Sequence, residues 1–372
     1  FDRMLVDPAL RERLESAEVR LRDAYKQSAH LLNPAARMKG PRVAALRDEL
    51  LAAHAAGQSL AGHDYTGADL SGLDLRGIDF GDALLEQVDF HGATLAGARF
   101  AGAVLARADL TDADFSGADL SGVNLGGAQL VRTNLGGANL GGAILYKTLL
   151  EATDLRGAIL SKAEMLEAVW KGADLREARA AETIFFQGDL SGMSFAGADL
   201  EKCTFLEVTV AGVCFDGARL EGAVFLAAKG EGASFRGARA KNLRMVNKCD
   251  FTGADFTGAE MELGNLRGSK LEGACFEAAQ LANGDLSECN LRGARLGLLN
   301  APEARFIRAD LEKAVLSSAN LMHAILQKAT IEGADFTGAN LFRADLAKVK
   351  GKAVSVRDAN LTQVRFVARR EP

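Results

Sequence analysis

The sequence is poor in the side chains that most often carry chemistry in proteins. Its 372 residues include one Trp, three Tyr, five His and five Cys. The histidines are scattered, without the spacing of a metal site and without a nucleophile beside them: His30, His54, His63, His91 and His323. We expect each to be a solvated side chain. We predict that the protein is not an enzyme and that it has no catalytic residue, cofactor or metal.

Long apolar runs are also missing. No run approaches the roughly 18 residues of a membrane-spanning helix, and no charged segment followed by an apolar one indicates a secretory leader. These absences predict a cytoplasmic protein that does not bind a membrane. The chain begins with Phe1 rather than Met, so we expect it to be a fragment of a longer protein.

What the sequence does contain is a repeat of five residues. From Leu70 to Met245, and from Phe251 to Phe366, nearly every fifth residue is Leu, Phe or another apolar residue. This residue is the centre of its repeat, and the residue two places before it is usually Ala. The period fits neither a helix, which repeats about every 3.6 residues, nor a strand, which repeats every second residue. It predicts a solenoid whose units bury their apolar residues against copies of themselves.

Glycine recurs just after the centre, as at Gly77, Gly102 and Gly117. In a helix each would be unfavourable by roughly 1 kcal/mol relative to Ala, whereas glycine readily adopts the backbone of a tight turn. These positions, including the glycine pairs at 126–127, 136–137 and 141–142, are therefore predicted corners and not phosphate-binding loops. Between Met245 and Phe251 the spacing becomes six, so one extra residue should bulge outward at a corner.

Segments such as residues 118–122, Ala-Asp-Leu-Ser-Gly, resemble the repeats of pentapeptide-repeat proteins, and the resemblance covers about residues 61–366. It implies an all-β solenoid, a right-handed quadrilateral β-helix in which each coil contains four repeats. The centre and the residue two before it point inward. The repeats in residues 61–372 amount to about fifteen coils, which at about 4.8 Å per coil predict a rod of roughly 70 Å.

Coils of four repeats predict which centres stack. One phenylalanine ladder contains Phe195, Phe215, Phe235, Phe256 and Phe276, and a second ladder on the opposite side contains Phe185, Phe205 and Phe225. Some centres are small instead, and they indicate either local decay of the repeat or a docking ridge. They are Ala180, Ala240, Ala301, Gly230 and Gly351.

The cysteines follow the repeat. Cys203, Cys249 and Cys289 occupy the inward position two before a centre, where they replace Ala. Cys214 and Cys275 are predicted to face outward on one side, three coils or roughly 14 Å apart, which is too far for a disulfide.

Residues 1–60 do not follow the repeat and predict a helical hairpin. Asp7-Pro8 starts the first helix and Asn33-Pro34 stops it. Pro41 starts the second helix and Gly57 stops it. Apolar residues fall on one face of each helix: Leu10, Leu14, Ala17, Leu21, Ala24 and Leu31 in the first, and Val43, Leu46, Leu50 and Ala53 in the second. The hairpin either caps the first coil or links the repeats to an upstream domain.

Charge bears on one alternative function. Some pentapeptide-repeat proteins bind DNA gyrase, and the resemblance implies a negatively charged rod that mimics duplex DNA. This chain has 49 Asp and Glu against 44 Lys and Arg, a net charge of −5. Duplex DNA has roughly forty charges over about 70 Å. The C-terminal residues 366–372 are also too short for the dimer-forming helix of gyrase-directed members. Gyrase mimicry thus remains an alternative, and no nucleic-acid partner is predicted.

A second resemblance lies at the junction between the helices and the repeats. Residues 51–62 are similar to the corresponding part of type VI secretion accessory proteins. This resemblance implies an adaptor or chaperone-like scaffold that helps to load effectors, with secretion spike or effector proteins as partners. The remaining alternative is a generic bacterial interaction scaffold. The sequence leaves the binding face and the oligomeric state open.

Overall fold

The computed structural model describes the backbone of residues 8–366 and the side chains of residues 12–366. The described residues do not include Asp7, the side chain of Leu10 or residues 367–372. The predictions made for these positions therefore also lie outside the described residues. The chain divides into two compact units. One contains the residues up to Thr153 together with Ala163–Ala168, and the other contains Asp154–Lys162 together with the residues from Val169 on.

Two helices precede the coils of the first unit. Helix α1 spans Pro8–Ser28 and continues into a 3₁₀ turn at Ala29–Leu31, and helix α2 spans Pro41–Ala55. The apolar face predicted for α2 is turned inward, with Leu50 buried. Proline at the first position of α2 and Gly57 beyond its end match the predicted start and stop.

After Leu60 the first unit winds into coils. Parallel bridges join residues one coil apart, as in the series Asp69, Asp89 and Asp109. The N–H of Leu70 donates to the carbonyl of Asp89 at 2.7 Å, and the N–H of Asp89 donates to the carbonyl of Ala68 at 2.9 Å. This ladder is that of the predicted right-handed quadrilateral β-helix, in which each side of a coil pairs with the same side of the next.

The second unit is built by the same winding and contains four regular strands. They are β1 (Ile184–Phe186), β2 (Thr204–Leu206), β3 (Val224–Leu226) and β4 (Arg244–Val246). They form one parallel sheet in the order β1-β2-β3-β4, each strand one coil after the last. Residues of this unit outside the sheet pair through isolated bridges, because each side of a coil is short.

The interior of the second unit contains the two predicted phenylalanine ladders. Phe235 lies between Phe215 and Phe256, with both ring-centroid distances 4.8 Å and the rings nearly parallel. In the other ladder the rings of Phe205 and Phe225 are 4.6 Å apart. Rings of the two ladders meet edge to face, a favourable arrangement for aromatic pairs. The predicted register is confirmed.

Most polar residues at inward positions donate to the carbonyl of a centre in the preceding coil, which gives the buried donor a partner. The hydroxyl of Ser269 is an exception and has no hydrogen-bond partner. The hydroxyl of Thr133 donates to the carbonyl of Leu110 at 2.8 Å, and the thiol of Cys203 donates to the carbonyl of Ala180 at 2.9 Å. This bond explains why Thr and Cys replace Ala there.

The spacing of six after Met245 produces a bulge at a corner, as predicted. Asn247 and Lys248 are both exposed and both have a left-handed backbone, with φ of 62° and 58°, whereas other corners have one such residue. Pairing then resumes one residue later, with Lys229 bridging Asp250. The extra residue leaves the inward and outward order of the next coil unchanged.

Four of the five small centres are internal and form no ridge, whereas Gly351 is exposed. Ala180, Ala240 and Ala301 are buried. At Gly230 a Cβ atom would lie 2.2 Å from the ring of Phe251, so the absent side chain makes room for a phenylalanine of the next coil.

Candidate interaction surfaces

The C-terminal half of α1 lies along one side of the coils in the first unit. Ala29 packs against Val104 and Ala106, and Tyr25 and Leu84 border this small buried cluster. Leu84 and Val104 occupy outward positions that the repeat usually fills with Asp, Asn or Arg. Their apolar character follows from the helix that covers them.

An ion pair between Arg107 and the buried Glu86 helps to hold α1 against the coils. Glu86 is 2% exposed, and its Oε1 accepts from Arg107 at 2.7 Å and from the N–H of Ala35 at 3.0 Å. The hydroxyl of Tyr25 donates to the other oxygen of Glu86, and the pKa of this hydroxyl is raised by burial and by Glu86. Arg107 also donates to the carbonyls at the end of the helical segment, those of Ala29, His30 and Leu32.

His30 also contacts the coils at the end of α1. Its Nδ1 is 3.0 Å from Nδ2 of Asn124, which also donates to the carbonyl of Lys26, and its ring lies against Tyr146. Partial burial lowers the pKa of His30. The expectation that this histidine is solvated is wrong. Gly126 provides the space, because a Cβ atom there would lie 2.3 Å from Cβ of His30.

Helix α2 covers part of the open edge of the first coil. In later coils, backbone carbonyls accept hydrogen bonds from the N–H groups of the preceding coil. The first coil has no preceding coil to provide these donors. Arg47 replaces those donors, because its guanidinium donates to the carbonyls of Asp69 and Ser71 at 3.2 and 3.0 Å. The N–H of Met38 donates to the carbonyl of Gly67 at 2.9 Å.

The apolar face of α1 is turned away from the coils. Leu14 is 53% exposed, Leu21 is 72% exposed, and Leu31 in the following turn is 66% exposed. We name Leu14, Ala17 and Leu21 the α1 stripe. The helix packs instead through the polar face that contains Arg22 and Lys26, because its partners on the coils are backbone carbonyls and carboxylates.

The second unit has an apolar outer face of its own, which we name the sheet face. It consists of the outward residues of β1–β4, six of which are apolar: Ile184, Phe186, Leu206, Val224, Leu226 and Val246. Ile184 is 56% exposed and the other five are partly buried. Elsewhere these repeat positions hold mostly polar residues, so the sheet face is a local departure from the scaffold pattern.

The remaining candidates do not converge into a reactive centre. Cys203, Cys249 and Cys289 are inward free thiols, as predicted. Cys275 is buried, although an outward position was predicted, because Thr257 lies 3.2 Å from its sulfur and covers it. Within residues 8–366 no cluster of metal-ligating side chains occurs, and no helix there could cross a membrane. A shallow groove of about 390 Å³ runs between α1 and the coils, beside Arg22 and Asp82.

A family model for pentapeptide repeats matches the chain in eight copies. The matches cover residues 66–102, 89–127, 98–137, 133–165, 183–222, 232–273, 304–341 and 332–367. No curated protein sequence matches the chain.

The chain is similar to a number of solved structures, of which two are given as examples. One is HetL, a pentapeptide repeat protein involved in heterocyst differentiation regulation from the cyanobacterium Nostoc sp. strain PCC 7120. It is 22% identical over 63% of this chain and 89% of HetL, with a TM-score of 0.32. The other is QnrB1, a plasmid-mediated fluoroquinolone resistance protein, which is 23% identical over 49% of this chain and 91% of QnrB1, with a TM-score of 0.30.

Proposed function

Because the chain belongs to the pentapeptide-repeat family, we propose that it is a non-enzymatic scaffold that binds other proteins. The stacked rings of both units support this proposal, since inward side chains fill the coils. Outward residues mostly repeat the scaffold pattern. Departures from this pattern are therefore the places to look for a binding surface.

The observation that carries the proposal is the α1 stripe. Arg22 and Lys26 attach the C-terminal half of α1 to the coils, and Leu14 of the stripe lies two turns before Arg22. An apolar stripe on an anchored helix can enter a groove on a partner without a change in the coils. Leu14 and Leu21 are two helical turns apart and are the two large apolar anchors of this surface.

We assign the partner to type VI secretion, where the scaffold would serve as an adaptor in effector loading. The support is the resemblance of residues 51–62, together with the presence of the stripe in the helical segment directly before the repeats. Effector and spike proteins are then the partners that would bind the stripe. Gyrase mimicry has less support, because outward acids are often neutralised, as in the Arg156–Asp154 and Arg176–Asp174 pairs of 2.5 Å.

The test is capture from the source bacterium by the tagged chain, with proteins identified by mass spectrometry. We expect secretion spike or effector proteins with the wild type, and loss of them with Leu14→Glu/Leu21→Glu. Leu298→Glu is the matched control, because this leucine is 65% exposed at a corner far along the sequence. Repeated recovery of only unrelated proteins would refute the secretion assignment. Inhibition of gyrase supercoiling at micromolar protein would favour the DNA-mimic alternative.

A further inference from the structure

The sheet face presents an apolar surface to solvent in the second unit. The described residues place no helix or loop over it, in contrast to Leu84 and Val104 of the first unit, which α1 covers. Exposed contiguous apolar surface usually marks an interaction site. A flat sheet face is most readily covered by another sheet, at a separation of about 10 Å.

The charges along the border of the sheet face have opposite signs at its two ends. Beside β1 and β2 lie the exposed acids Glu182 and Glu207, and Lys202 of the same chain lies 4.0 Å from Glu182. Beside β4 lie the exposed bases Lys241 and Lys248, neither of which has an ion-pair partner among the side chains of residues 12–366. The border is therefore acidic at one end of the sheet and basic at the other.

A two-fold axis makes this pattern self-complementary. With the axis parallel to the strands and between β2 and β3, β1 of one copy lies over β4 of the other, and β2 lies over β3. The start of β1 then faces the start of β4, which brings Glu182 to Lys241 of the second copy. Glu207, at the end of β2, faces Ala227 of the second copy and is one coil away from its Lys248.

The middle of the face fits the same operation. At the strand ends, Leu206 of β2 faces Leu226 of β3 in the second copy. At the strand starts, the corner residue Lys202, which pairs with Glu201 of its own chain at 3.0 Å, comes near Glu221 of the second copy.

We propose that a second copy of this chain covers the sheet face, and that the protein is a two-fold symmetric dimer through β1–β4. The contact is isologous, with the same patch on both copies, as in most homodimers. This inference does not depend on the proposed function, because the α1 stripe takes no part in the contact.

The experiment compares two charge-reversed variants by sedimentation equilibrium of the full chain. Glu182→Lys/Glu207→Lys makes both ends of the face basic, and Lys241→Glu/Lys248→Glu makes both ends acidic. We expect wild type at 100 µM to have about twice the 39.3 kDa mass of one chain. Each variant alone should dissociate at least tenfold more readily, and their equimolar mixture should recover the dimer, because the basic face of one variant then meets the acidic face of the other.

The four substituted side chains are exposed, so circular dichroism should report an unchanged fold. Glu303→Lys/Lys313→Glu, reversed at exposed corners outside the sheet face, serves as the control and should leave the dimer intact. A monomeric wild type at 100 µM would overturn the proposal. So would a dimer that both variants retain, or a mixture of the two variants that stays monomeric.

Discussion

At the scale of single residues, the repeat position decides what a side chain does. Phe235 is a centre and is 1% exposed, whereas Phe366, the last described residue, is 58% exposed. The sequence was sufficient to predict the stacking of Phe235, because the period alone specifies which residues lie one coil apart. The sequence was not sufficient to predict that Cys275 is buried, because an outward thiol can be covered by a neighbour such as Thr257.

Truncation of Phe235 tests the register energetically. Phe235→Ala should destabilise the protein by about 3–5 kcal/mol, because a cavity would replace a ring stacked on both sides. Phe366→Ala should have an effect below about 1 kcal/mol, since its ring is largely in solvent. Urea unfolding measures both variants. Equal effects of the two substitutions would show that Phe235 is not a core ring.

Substitution of Gly126 tests whether the end of α1 packs against the coils. Gly126→Ala places a methyl group 2.3 Å from Cβ of His30, so α1 should detach and become sensitive to limited proteolysis. Gly297→Ala is the matched control at the same repeat position, where the nearest atom would be 3.6 Å away. Protection of α1 that survives in Gly126→Ala would mean that the helix does not lie against this coil.

At the scale of elements, the coils were predictable and the position of α1 was not. Glu86 and Arg107 resemble ordinary corner residues, and only the fold brings them together beneath the helix. A signal was nevertheless present in the sequence, because Leu84 and Val104 replace the usual polar outward residues of adjacent coils. The covering role of α2 was one of the two roles open to the hairpin, although its guanidinium contacts through Arg47 could not be foreseen.

The docking of α1 should weaken in acid. Burial lowers the pKa of His30, Arg107 lowers it further, and Asn124 and Glu164 oppose the shift. With the folded pKa below the ordinary value of about 6.5, the folded chain binds fewer protons here than the unfolded chain. Stability from this group is thus present above about pH 6.5 and falls as the pH drops toward the folded pKa.

Limited proteolysis of α1 at pH 7.5 and at pH 5 measures this dependence. We expect faster cleavage at pH 5 in the wild type and a smaller difference in His30→Gln, which cannot acquire the charge. An equal pH dependence in both proteins would assign the effect to another group.

The corner after β4 offers a test of the coil geometry. Deletion of Lys248 removes one of two consecutive left-handed residues and restores the ordinary spacing of five, so the melting temperature should change little. Deletion of Gly117 exchanges inward and outward residues in the coils that follow, and it should prevent folding of the first unit. Comparable melting temperatures for the two deletions would contradict the description of Lys248 as an outward bulge.

At the scale of the whole molecule, different residues form the scaffold and the proposed binding surfaces. The five-residue period dictates the coils, the ladders and the corners, and the repeat itself is shared with the rest of the family. Function is assigned to the departures from that period: the α1 stripe for partner proteins and the sheet face for a second copy. Sequence reasoning did not locate either surface, because a solenoid pattern defines which way a residue points and not what else covers it.

Hydrogen–deuterium exchange of the full chain tests the central claim, that a partner protein binds the α1 stripe. The measurement compares the chain alone with its complex with the spike or effector protein that it captures. We expect slower exchange on binding in peptides that cover residues 12–24, with Leu14 and Leu21 at the contact. Slower exchange confined to the coils, with no change in α1, would contradict the account.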